Sequence, residues 1–106
     1  TTGPQNISRR PCATLEVYGE FPPMHLSDAS TQLFDRYREA SRRLGVAVNG
    51  ELTNGAADSG FAAAAGAATL CGLGPVGGKY HGEEEYIELS SLLTRARVLA
   101  ETILDI

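Results

Sequence analysis

Apolar residues recur along this chain with two different periods. Between residues 28 and 44, Leu33, Tyr37, Ala40 and Leu44 fall three or four apart and Phe34 widens the stripe, while Arg36, Arg38, Glu39, Arg42 and Arg43 fill the other side. This spacing predicts an amphipathic helix. Ser27 or Asp28 offers its N-cap and Gly45 its C-cap. A second helix is predicted from Leu89 or Ser90 to the chain end, with Ser90 or Ser91 as cap. Its apolar face would be Leu89, Leu92, Leu93, Ala96, Leu99, Ala100 and Ile103. Shorter segments read as strands. Ala13 to Tyr18 carries Thr14, Val17 and Tyr18 and is closed by Pro22-Pro23; Val46 to Leu52 alternates at Val46 and Val48; Ala67 to Leu73 is apolar throughout, as a buried strand would be. A short helix over Phe61 to Ala65, capped by Asp58 or Ser59 and closed by Gly66, sits between the last two. The order strand, helix, strand, helix, strand, loop, helix predicts an α/β layered sheet.

With 106 residues, the chain holds at most one domain. A globular chain of this size buries roughly 60–70% of its unfolded surface. Apolar residues make up 42% and charged residues 21%, and the net charge is −4. That balance excludes a disordered chain, and it lacks the basic face that nucleic acid requires. No apolar run approaches a membrane span, and the polar N-terminus has no apolar signal core. Cys12 and Cys71 read as reduced, partly buried thiols, so a cytoplasmic setting is expected. Residues 1–11 have no period and read as a tail or a connection.

Candidate chemistry concentrates between Leu70 and Glu88, which holds the densest glycine cluster and one of the two histidines. Gly72-Leu73-Gly74-Pro75-Val76-Gly77 matches G-x-G-x-x-G, but Pro75 and Gly78-Lys79-Tyr80-His81 have no helical period, so a dinucleotide site is not expected. Gly78-Lys79 is followed by Tyr80 and position 73 is Leu, which excludes a P-loop. His81 stands just past an apolar strand, where open α/β sheets place their sites. Glu83, Glu84 and Glu85 read either as ligands or as a solvated acidic run. One histidine cannot hold a metal alone. His25, after Pro22-Pro23-Met24, reads as exposed. Asp58 reads as a helix cap; Gly55 and Ala56 beside it would let backbone N–H groups face a ligand carboxylate.

Taken together, Leu52 to Phe61, Gly72 to Gly78, His81 with Glu85-Tyr86-Ile87, and the closing helix resemble the C-terminal part of the co-catalytic zinc metallopeptidases. That family includes glutamate carboxypeptidase, aminoacylase, acetylornithine deacetylase and succinyl-diaminopimelate desuccinylase. The resemblance runs in order over residues 13–106 and is nearest to the glutamate carboxypeptidase branch. It implies a fragment of a layered α/β zinc-peptidase catalytic domain at residues 22–106. Residues 1–21 would be a tail and the last strand and hinge of a lid domain, which often mediates dimerisation. His81 matches the family's C-terminal zinc-binding histidine. Asp58 matches the aspartate of its glycine-rich substrate loop, and Gly55 a glycine of that loop near the substrate carboxylate. The loop departs from the family's usual glycine content, reading Asn54-Gly55-Ala56-Ala57-Asp58. The other zinc ligands and the catalytic glutamate of such enzymes lie upstream of any segment here. The expectation is therefore no catalytic residue in this chain, weak or absent zinc binding by it alone, and a missing N-terminal partner region. The full-length protein would be a homo-oligomer acting on a small amide or peptide substrate. The alternative is a non-catalytic α/β interaction module derived from such an enzyme.

Overall fold

The computed structural model describes residues 10–106. Most of the tail expected over residues 1–11 lies outside the described residues. Three helices dominate: α1 (Asp28–Arg43), α2 (Ser59–Ala64) and α3 (Leu89–Leu104). The one sheet among the described residues is an antiparallel pair, β1 (Gly77–Gly78) with β2 (Tyr86–Ile87).

The α1 signals act as the pattern predicts. The Ser27 hydroxyl accepts the Ser30 N–H at 3.1 Å, and Gly45 takes φ +73°, the left-handed turn that ends a helix. Tyr37 and Ala40 are buried, Leu33 and Phe34 half-buried, and Leu44 is exposed. The short helix α2 begins two residues earlier than expected. Asp58 occupies its N-cap position without a side-chain cap bond. Helix α3 starts after Glu88, and Ser91, expected as a cap, works differently. Its hydroxyl donates to the Glu88 carbonyl at 2.6 Å and accepts the Val76 N–H at 2.8 Å.

α1 packs on α3 around Tyr37, Ala40 and Val98. Their ends are tied by Arg36, which donates to the Asp105 carbonyl oxygen at 2.9 Å, and by an Arg43–Asp105 ion pair. On the outer side of α1, Arg42 pairs with Glu39 at 2.7 Å, and that guanidinium holds the Glu39 carboxyl below its ordinary pKa.

The packed face of α3 is not the predicted one. Ser91, Val98 and Thr102 are buried, whereas Leu89, Leu93 and Ile103 are 75%, 60% and 60% exposed. The cause is the partner available. The buried stripe of α1 is narrow: Tyr37 with the small residues Ser30, Ala40 and Ser41. Small residues let the helices approach, and Thr102 satisfies its hydroxyl on the Val98 carbonyl at 2.8 Å. The broader Leu/Ile face meets no apolar surface of equal width.

The predicted layered α/β sheet is likewise corrected to a mostly helical fold with one short hairpin. Residues 13–18, 46–52 and 67–73 form no ladder among the described residues. An extended segment becomes a strand only when a neighbouring backbone pairs with it. Here Val46, Val48, Leu70 and Leu73 lie against the helix core. Some of their amides are satisfied by helix groups instead: the Val46 N–H by the Ser41 carbonyl at 2.9 Å, the Thr69 N–H by the Ser30 hydroxyl at 3.0 Å. One side of a helix-on-sheet layer is thus in place without the sheet.

The molecule is correspondingly open. Its radius of gyration is 21.9 Å, against about 13 Å for a compact chain of this length. Its accessible surface is 8844 Å², against about 5,700 Å² for a compact one. Burial is then about 45% of the unfolded surface rather than the 60–70% expected. Cys12 and Cys71 are both free and exposed, not partly buried. Among the described residues no helix is long and apolar enough to cross a membrane.

Candidate metal-ligand loop

The hairpin exists because two glycines allow it. β1 and β2 pair Gly77 with Ile87 and Gly78 with Tyr86. A Cβ on Gly77 would run into the Tyr86 carbonyl oxygen, and one on Gly78 would stand 3.0 Å from the tip of the Tyr86 ring. The base is fastened to α3 by the Ser91–Val76 bond and by the Glu88 N–H on the Val76 carbonyl at 2.8 Å.

The loop at the end of this hairpin, residues 79–85, carries His81. Two successive turns shape it: the Gly82 N–H bonds the Lys79 carbonyl at 3.1 Å, and the Glu85 N–H bonds the Gly82 carbonyl at 3.2 Å. In the first turn His81 is the third residue, with φ +65°. That position and sign favour glycine or asparagine. Lys79, at the start of the turn, also has positive φ, +55°. Non-glycine residues held in this region cost of order 1–2 kcal/mol each and concentrate at functional sites. The Lys79 ammonium reaches Glu84 at 2.8 Å across the loop, and the Tyr80 hydroxyl donates to the Gly77 carbonyl at 3.1 Å.

His81 is exposed, and among the described residues its ring has no hydrogen-bond partner. Glu83, Glu84 and Glu85 are exposed as well, and Glu84 is committed to Lys79. Gly55 and Asp58 are also exposed, with open space where a Gly55 side chain would stand. Among the described residues, no three histidine, cysteine, aspartate or glutamate side chains converge as a metal site would require. The donors present therefore do not compose a zinc site. His81 supplies one imidazole, and tetrahedral zinc takes three or four protein ligands. No hydrolytic step can be built from these residues alone. Periodicity in the sequence gives no hint of Gly78, Tyr86 or the Lys79–Glu84 pair. The available signals are the glycine pair itself and the resemblance, which includes Gly78 and Tyr86 without giving them a role.

A model of peptidase family M20/M25/M40 matches residues 5–105. No curated protein and no solved structure gives a match. A family match spanning nearly the whole length decides membership: the chain belongs to peptidase family M20/M25/M40.

Proposed function

We propose that this chain is the C-terminal part of a zinc-dependent amidohydrolase of the carboxypeptidase type, and that His81 is one of its zinc ligands. In the whole protein, residues 22–106 would close the catalytic domain and residues 1–21 would lead in from a lid. Gly55 and Asp58 would shape the wall that receives the substrate carboxylate. The substrate class is a small amide or peptide whose cleaved bond releases an amino acid. The observation that carries this reading is the family match over residues 5–105, in a family whose peptidases typically use metal ions. The left-handed backbone of His81 supports its role, because a strained histidine without a partner of its own has no evident use to the fold. The chain alone is inactive in this reading, since the remaining ligands and the catalytic carboxylate come from elsewhere. A cytoplasmic, homo-oligomeric enzyme is the setting proposed. A second reading, a non-catalytic interaction module, is favoured by one observation, the exposed Leu/Ile face of α3.

The complete protein separates the two. With His81→Ala, bound zinc per chain should fall and turnover of N-acyl amino acids or dipeptides should be lost. Unchanged zinc stoichiometry and turnover would reject the assignment.

A further inference from the structure

We propose that Gly60 and Phe61 form a seat that clamps the incoming chain, at Phe21-Pro22, to the Asn54–Asp58 loop, which makes both of them positioning residues for that loop. The inference deepens the proposed function and rests on it for one point alone, that Gly55 and Asp58 face the substrate. The clamp itself stands on contacts within this chain.

Residues 10–21 are exposed throughout, and Pro22 is the first half-buried residue. What Pro22 meets is α2. Gly60 is the one buried residue of that helix, and a Cβ there would run into the Pro22 carbonyl oxygen. Glycine weakens a helix interior, so its use at this position is the close approach of a second backbone. Beside this contact the rings of Phe21 and Phe61 lie with centroids 5.2 Å apart and planes inclined at 58°, an attractive tilted pair. Pro22 and Pro23 have their φ fixed by their rings, so the chain is stiff where it touches the helix.

The same two residues of α2 hold the loop. The Gly60 N–H bonds the Ala57 carbonyl at 3.0 Å, and the Phe61 N–H bonds the Asp58 carbonyl at 3.0 Å. Asp58 makes no side-chain cap bond, so these backbone bonds, not its carboxylate, tie it to the helix. Gly60 and Phe61 therefore meet the incoming chain on one side and the loop on the other. A pull on the chain at Phe21 acts directly on the residues that fix Asp58.

The test is hydrogen exchange of the complete protein, read by mass spectrometry over residues 54–66, together with kcat, KM and a circular-dichroism melt of each variant on a dipeptide or N-acyl amino acid. Phe21→Ala carries the test, because it lies far from the loop in sequence. It should speed exchange at residues 57–61 by about 2–10-fold, the worth of one aromatic pair, and raise KM by a similar factor with kcat and zinc content kept. Phe61→Ala should do the same, and the double variant should be no worse than either single one, since the two rings act as a unit. Phe61→Tyr, which keeps the ring, should behave as the parent does. Gly60→Ala should speed exchange by lifting Pro22; should it fail to fold, the ring variants decide. Parent exchange in Phe21→Ala would overturn the clamp, and so would effects of the two single variants that multiply in the double. Faster exchange with KM unchanged would support the clamp and overturn the placing of Gly55 and Asp58 at the substrate.

Discussion

At the scale of single residues, His81 combines two properties that the fold does not require of one another. It is exposed, and its backbone lies at φ +65°. Glycine adopts this conformation without a steric penalty, so His81→Gly relieves strain although it loosens the unfolded chain. The expected outcome is a stability equal to the parent's or higher by up to about 1 kcal/mol, measured by thermal melts, alongside loss of the imidazole's function. A clear fall in melting temperature would show that His81 serves the fold. The sequence could point to this residue through its glycine-rich setting, but not to its conformation. Backbone sign at position 81 is set by the turn bond between Gly82 and Lys79 and by the pairing of Gly78 with Tyr86. Neither contact has a periodic signature.

Among the elements, the helices were legible and the strands were not, for one physical reason. A helix satisfies its backbone internally, so capping and spacing around Ser27, Tyr37, Ala40 and Gly45 suffice to place α1. A strand needs a second chain segment, and residues 46–52 and 67–73 present side chains to the helix core without any ladder. The apolar face of α3 failed in the same way, because a period shows which residues share a face but not which face finds a partner. This gives a paired prediction. In the 106-residue chain, Val98→Ala should cost about 2 kcal/mol through lost burial, since Val98 is fully buried. Leu93→Gln, at a position 60% exposed, should stay within about 0.5 kcal/mol. In the complete protein Leu93→Gln should become costly, about 2 kcal/mol or more. Equal, small effects of Leu93→Gln in both settings would show that this face stays uncovered.

For the whole molecule, openness is the dominant property. An apolar groove of about 340 Å³ lies among Leu33, Leu70, Leu73, Leu99, Ile103 and Ile106, continuous through Leu99 and Ile103 with the exposed face of α3. Composition alone pointed to a compact globule, because 42% apolar residues are enough for a core. What composition cannot convey is whether those residues can face one another within a single chain. The same holds for the site: His81 stands out in the sequence by residue type and place, whereas the absence of converging partners among the described residues is a property of the arrangement in space. The account thus turns on whether His81 completes a metal site that other parts of the protein begin. The most direct measurement is a crystal structure of the complete, zinc-loaded protein with anomalous data at the zinc edge. The account predicts a zinc peak with a His81 ring nitrogen at about 2.0–2.1 Å. A fully coordinated zinc with the His81 ring left in solvent would contradict it.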